Sequence, residues 1–338
     1  MIEQERSPLP PAAHEGAHAI EVDNLAKRYG EVEAVKGVSF TVEHGEVFAF
    51  LGPNGAGKTT TIRMLCTLTQ PTGGRASIDG YDVSTRARDV RQRIGLVFQE
   101  QTLDQQLTAE ENLRFHAVLY GVPKSEVDAR IDRALRMVQL IDRRSDLVST
   151  FSGGMARRLE IARGMLHTPA VLFLDEPTIG LDPQTRALMW EDVLRLRREE
   201  GVTIFLTTHY MEEAEYADRI AIIDQGKIVA LDTSGALKRT IGADTVELAT
   251  GNDDLAAKNL EAAGFNIKRG DDEVVAFVEN GEAQVASIIA AAGTPIRTVK
   301  VHRPTLEDVF LHYTGRQIRE GQGGGPTPPH FMHFARRR

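Results

Sequence analysis

A chain of 338 residues is long for one small domain and suits two, and its 41% hydrophobic content is enough for sizeable cores. With 48 acidic against 40 basic side chains and a net charge of −8, it is not built mainly to grip nucleic acid, whose binding rests on many phosphate contacts. A single cysteine, Cys66, excludes an intramolecular disulfide and a cysteine-cluster metal site, which suits a reducing cytoplasm.

In chain order, residues 1–19 are polar and proline-rich, are expected to be disordered, and lack a signal-peptide pattern. Ile20 to Leu25 reads as a strand, and Val38, Phe40 and Val42 alternate as another. Tyr29, between them, either stacks on an adenine ring or is a core or edge tyrosine. The apolar run Val47 to Leu51 reads as a buried parallel strand. It ends in Gly52-Pro53-Asn54-Gly55-Ala56-Gly57, and Lys58, Thr59 and Thr60 open a helix with Ile62, Leu65 and Cys66 on one face. This is the GxxxxGK[ST] pattern. Glycines let the backbone wrap phosphate oxygens, the helix N-terminus adds positive potential, Lys58 reaches the β- and γ-phosphates, and the Thr59 hydroxyl ligates Mg²⁺.

A hairpin turning at Asp79-Gly80 and a charged helix, Arg86 to Arg93, precede a second buried strand, Ile94 to Phe98. Gln99 at its carboxyl end lies where open α/β sheets bind ligands; it orients Mg²⁺ or the attacking water, or is a loop glutamine. Thr108 with Glu111 forms a capping box for a helix to Gly121, and Lys124 to Leu140, begun by Ser125, forms another. Phe151-Ser152-Gly153-Gly154-Met155 then opens a helix, as an anion site or merely as a capped start. A third apolar strand, Val171 to Leu174, ends in Asp175-Glu176. Adjacent carboxylates after so apolar a run are costly unless a cation or proton transfer uses them: either Asp175 holds Mg²⁺ and Glu176 polarises a water as general base, or the two are a solvated strand-end pair. Gly180-Leu181-Asp182 turns into a long helix, and the buried strand Val202 to Leu206 ends in Thr207-Thr208-His209, where His209 either contacts the γ-phosphate or is structural.

Together these residues resemble the nucleotide-binding subunit of ABC transporters, from about Ile20 to Leu237. The resemblance makes Tyr29 the A-loop, GPNGAGKTT Walker A, Gln99 the Q-loop, FSGGM the signature, VLFLDEP Walker B with catalytic Glu176, Asp182 part of the D-loop, and His209 the switch histidine. It implies an α/β P-loop NTPase fold over residues 20–240, with a RecA-like core, an antiparallel β subdomain and a helical subdomain at about 100–165. Phe151 stands for the usual leucine and Met155 for the usual glutamine. ATP and Mg²⁺ are the implied cofactors. Lys58, Thr59, Gln99 and Asp175 position them, and Ser152, Gly153, Gly154 and Asp182 serve the site of a second copy or paralogue paired head to tail.

From residue 244 the chain reads β-α-β-β-α-β, a small ferredoxin-like α+β domain to residue 315, before a glycine- and arginine-rich tail, 316–338, expected to be disordered. The arrangement, with PTLEDVFLHYTG from Pro304 to Gly315, resembles the daunorubicin-resistance type of ABC ATPase, a drug-export subgroup. That implies a separate ABC-2-type permease, a peripheral place on the cytoplasmic face of the membrane, since no apolar run is long enough to span it, and drug-like or lipid-like cargo. The rival is a soluble ABC ATPase acting on nucleic acid or ribosomes; those usually join two nucleotide domains in one chain, and here there is one.

Overall fold

The computed structural model describes residues 17–270 and 273–315. The chain divides between Asp232 and Thr233 into two compact units.

In the first unit, β1 (Ile20–Tyr29), β2 (Val32–Val42), β3 (Val47–Leu51), α1 (Lys58–Leu65), β4 (Gly73–Ile78) and β5 (Tyr81–Asp82) come first. Strands β2-β1-β4-β5 form an antiparallel sheet. β1 runs further than Leu25 because bulges absorb its irregular pattern: its register with β2 shifts after Val22, where Asn24 takes φ 49°. Residues 17–19 do not conform to a disordered leader, since Ala19 is buried and its amide donates to Val42 O at 2.9 Å. The turn between β4 and β5 has φ 49° at Asp79 and 84° at Gly80, the paired positive values that a two-residue hairpin turn requires.

Next come α2 (Ala87–Arg93), β6 (Ile94–Val97), α3 (Ala109–Leu119), α4 (Val127–Met137), α5 (Gly153–Met165), β7 (Val171–Asp175), α6 (Pro183–Glu200), β8 (Thr203–Thr208), α7 (Met211–Ala214), β9 (Arg219–Asp224) and β10 (Lys227–Asp232). Thr108 and Glu111 form the expected capping box on α3. Ser125 does not start α4: Glu126 occupies the N-cap without a side-chain bond, and its amide donates to Pro123 O at 2.8 Å.

The second sheet has the order β10-β9-β3-β8-β7-β6, parallel except at β10. Every residue of β3, β7 and β8 is buried, as in strands covered on both faces. Phe40 of β2 stacks on Phe48 of β3 with ring centroids 5.3 Å apart, and Phe50, Phe173 and Phe205 complete the cluster that joins the two sheets. Burying such a ring contributes about 1.5–3 kcal/mol, which fixes the strands whose ends carry the site. The parallel register brings Leu51 opposite Thr208 and Asp175 opposite Thr207, so the three strand ends share one edge.

The second unit holds α8 (Ser234–Ile241), β11 (Asp244–Thr250), α9 (Asp253–Ala262), β12 (Asn266–Arg269), β13 (Val274–Val278), α10 (Gly281–Ala292), β14 (Ile296–His302) and α11 (Leu306–Thr314). Its sheet is antiparallel in the order β12-β13-β11-β14, the arrangement of a ferredoxin-like unit. The division comes earlier than the expected break after residue 240 because α8 packs on α11. The expected tail, 316–338, lies outside the described residues, as do residues 1–16.

Candidate functional site

At the edge shared by β3, β7 and β8, the loop from Gly52 to Gly57 folds over into α1. Its glycines are demanded partly by the protein itself. A Cβ on Gly52 would lie 2.3 Å from Ile223 O, and one on Gly57, at φ 108°, would lie 2.6 Å from Ala34 O. Gly55 has open space but φ 79°. Asn54 and Gly55 are exposed, Pro53 is half-buried and Ala56 is buried. The N-cap of α1 is Gly57, without a side-chain cap, so the first-turn amides have no capping side chain to satisfy them and suit an anion. A glycine cradle ending at an uncapped helix fits a phosphate chain.

Lys58 is buried, and its ammonium donates to Gly52 O at 2.7 Å and Pro53 O at 3.1 Å. It also pairs with Glu176 Oε1 at 3.0 Å. Burial draws its pKa below the ordinary lysine value, against the pull of Glu176 and Asp175. Glu176 Oε2 lies 3.3 Å from His209 Nδ1. Burial pushes the Glu176 carboxyl up, but His209 and Lys58 together outweigh it and hold it below the usual range. Asp175 is raised by burial, although its Oδ1 accepts from Thr207 Oγ1 at 2.5 Å and Thr59 Oγ1 at 3.3 Å. The Thr59 hydroxyl and Asp175 carboxylate thus converge as hard oxygen donors, the set that a small divalent cation takes.

The remaining candidates stand apart from this cluster. Tyr29 is half-exposed at the end of β1, with Lys27 Nζ 4.9 Å above its ring. Gln99 is exposed beyond β6, and no contact among the described residues joins it to Thr59 or Asp175. Ser152 caps α5, accepting from Met155 N at 3.2 Å, and Gly154 packs so tightly that a Cβ would lie 2.2 Å from Thr185 Cγ2. Asp182 caps α6 through the amides of Gln184 and Thr185. The signature and Asp182 therefore adjoin each other, with Gly153 facing Leu181.

Some site residues escaped the sequence reading. Thr207 ties the Asp175 carboxylate to the Glu176 backbone: its hydroxyl donates to Asp175, and its carbonyl and hydroxyl accept from Glu176 N at 3.1 and 3.2 Å. Arg186 stacks over Tyr210 at 4.4 Å, and Tyr210 lies 4.1 Å from the His209 ring, so α6 backs the histidine. Glu213 is buried behind it, accepting from Thr208 Oγ1 at 2.6 Å. The signal for Thr207 was present in its strand-end position, but nothing local distinguishes Glu213 from an exposed helical glutamate.

Burial pushes Glu213 up to about 7, against Thr208, Arg186 and His209. The folded protein thus binds this proton more tightly than the unfolded chain. Its contribution to stability falls as pH rises from about 4.5 to about 7 and stays low above that. Glu213→Gln keeps the acceptor and removes the charge, so it is expected to melt higher than the parent at pH 8, by up to about 3 kcal/mol, with the gap closing at pH 5. Equal melting at pH 8 would show Glu213 to be an ordinary carboxylate.

Residues 35–179 match the family model described as ABC transporter, and residues 233–314 match that of the ATP-binding protein DrrA1-3-like, C-terminal domain. The chain is 40% identical to the daunorubicin resistance ATP-binding protein DrrA3 of Streptomyces coeruleorubidus, over 89% of this chain and 98% of that protein. It is 38% identical to the linearmycin resistance ATP-binding protein LnrL of Bacillus subtilis, over 89% and 100%. To the Nod factor export ATP-binding protein I of Burkholderia lata it is 41% identical, over 89% and 98%. Among solved structures, cbiO1 of Clostridium perfringens, part of an ABC transporter complex, superposes with a TM-score of 0.62 at 28% identity, over 67% of this chain and 94% of that one. A dimeric ATP-binding cassette in a post-hydrolysis state, bound to ADP and Pi, superposes at 0.57 and 27% identity, over 63% and 98%. The chain belongs to the ABC transporter ATP-binding proteins, the ABC ATPases, and within them to the daunorubicin-resistance type.

Proposed function

We propose that this chain binds Mg-ATP on the Gly52–Thr60 loop, pairs head to tail with a second copy or a paralogue, and hydrolyses ATP to drive export through a separate ABC-2-type permease. The observation that carries this reading is the convergence of Lys58, Asp175, Glu176 and His209 on one strand-end edge. Thr59 and Asp175 would hold the metal, which when bound neutralises charge on the phosphate oxygens. Lys58 exchanges its Glu176 partner for phosphate oxygen. Glu176, ionised at neutral pH, accepts a proton from the attacking water as the new P–O bond forms at the γ-phosphorus and the bond to the β-phosphate oxygen breaks. His209 orients the carboxylate and faces the phosphate. Ser152, Gly153, Gly154 and Asp182 close the partner's site, Ser152 and Asp182 each standing at a helix N-terminus.

The permease reading is supported by α3. Phe115, Val118 and Leu119 are 63%, 70% and 64% exposed on one side of a helix whose other side buries Leu113 and Ala117. A stripe of large apolar groups in water marks a partner surface. No helix among the described residues is long and apolar enough to cross a membrane, so attachment to the cytoplasmic face comes through the permease. Relatives of similar identity are named for daunorubicin resistance, linearmycin resistance and Nod factor export, which supports a drug-like or lipid-like molecule as the cargo here.

Co-expression with an ABC-2-type permease tests the assignment. Phe115→Glu with Val118→Glu is expected to lose co-purification while the isolated subunit keeps ATPase activity within about twofold, because the stripe lies off the nucleotide site. If the parent chain pulls down ribosomes or nucleic acid and no permease, the soluble ATPase reading replaces this one.

A further inference from the structure

We propose that Arg157 is a positioning residue for ATP hydrolysis: a buried guanidinium that ties the start of α5 to the backbone carrying Asp175 and Glu176. The inference rests on the reading of Glu176 as the proton acceptor.

Arg157 lies one turn into α5 and is 4% exposed. A guanidinium has five N–H donors in a rigid plane. Here Nε donates to Pro177 O at 2.6 Å, and Nη2 reaches Asp175 O and Glu176 O, each at 3.4 Å. Nη1 donates to Phe98 O and to Glu160 Oε2, the latter at 2.9 Å. Three successive carbonyls, from the last residue of β7 onward, therefore turn toward one cation. Glu160 is fully buried and neutralises it, while its Oε1 accepts from the amide and hydroxyl of Thr102 at 2.8 and 3.1 Å. A buried ion pair with its remaining lone pairs satisfied is rigid, and its geometry is specific.

What the clamp holds is a strained peptide. Glu176 sits at φ 47°, a left-handed conformation unfavourable for a side chain of its kind. Thr207 holds its amide from one side and Arg157 its carbonyl from the other. Between these anchors the carboxylate is aimed at Lys58 and His209. The same guanidinium fixes Phe98 O, and Glu160 fixes Thr102, so the segment carrying Gln99 is bracketed by this pair. Ser152 to Gly154 stand one turn before Arg157 on the same helix. A shift of either the signature end or the Gln99 segment is thus transmitted to the direction of the Glu176 carboxylate. Neither α5 nor the 98–102 segment needs to touch the nucleotide of its own subunit for this.

The test uses the full chain. Arg157→Lys retains the charge but offers three donors from one point, and cannot span carbonyls spread over two elements. It is expected to lower kcat for ATP about 10- to 100-fold, while the Kd for ATP stays within about twofold and thermal melting shifts little. Guanidine added to Arg157→Ala should restore part of kcat. A kcat within twofold of the parent in Arg157→Lys overturns the proposal, as does a parallel loss of kcat, ATP affinity and melting temperature. If Arg157→Lys does not fold, Glu160→Gln takes its place, with about a tenfold loss of kcat expected at unchanged ATP affinity; an unchanged kcat there overturns it equally. Glu176→Gln measured alongside separates the two readings. If it still turns over, the proton-acceptor assignment fails; if it is inactive while Arg157→Lys is normal, only the clamp fails.

Discussion

Glu176→Gln is expected to lower ATP turnover by about 10²- to 10⁴-fold, the range for loss of a general base, while ATP binding is kept or tightened. The two halves of this expectation have separate physical causes. Glutamine has the shape of glutamate and leaves the backbone bonds from Thr207 in place, but it cannot accept a proton at neutral pH. The carboxylate it replaces is held ionised by His209 and Lys58 despite its burial, so the parent has the acceptor ready. Binding behaves differently because Glu176 occupies Lys58 at 3.0 Å and carries a negative charge beside the phosphate position. Removing that charge frees the ammonium for the triphosphate and relieves repulsion. Phosphate release and ATP titration on the same preparation distinguish the halves. Turnover like the parent's would take Glu176 out of the proton-transfer role, and weakened binding would mean that the carboxylate supports the loop rather than competing for it.

The parts of this site that were legible in the sequence are those whose chemistry is local. The Gly52–Thr59 loop announces itself because backbone geometry, an uncapped helix and a buried strand must follow one another within a few residues. The capping box of Thr108 and Glu111 and the order of β11 to β14 are local in the same sense. Thr207 showed in the sequence only as a strand-end residue; its role depends on which strand lies beside β7, and neighbour order in a parallel sheet is a property of the whole fold. Arg157 was hidden for a related reason. In a run of Arg157 and Arg158, spacing marks two basic side chains on a helix, and only the return of β7 and the 98–102 segment decides which is buried. Gln99 was named from its strand-end position; the strand itself stops at Val97, and the side chain lies exposed two residues beyond it. The bulged course of β1 past Asn24 could not be read from alternation, because a bulge breaks the period that alternation relies on.

Lys58→Ala is expected to weaken ATP binding by about 2–5 kcal/mol, roughly 30- to several-thousand-fold, as for loss of one partner of a buried charge contact. It is also expected to destabilise the nucleotide-free protein, for a reason that does not involve ATP. The ammonium lies among the carbonyls of Gly52 and Pro53 and the Glu176 carboxylate, almost wholly out of solvent. Its removal leaves an ionised, buried Glu176 facing only His209, at a cost of about 3 kcal/mol. The carboxylate then has less reason to be charged, and its pKa should rise toward and past the ordinary value, because the attraction that offset its burial is gone. A second substitution separates this electrostatic cost from simple loss of packing. Lys58→Ala with Glu176→Gln removes the stranded charge along with its partner, so the double variant should melt above Lys58→Ala alone although it has lost more of the native contacts. Packing loss predicts the reverse order, with each substitution lowering the melting temperature in turn. In either case ATP affinity stays low, since no ammonium remains beneath the phosphates. Recovery of stability without recovery of binding is the pattern expected if Lys58 and Glu176 neutralise each other until the nucleotide arrives.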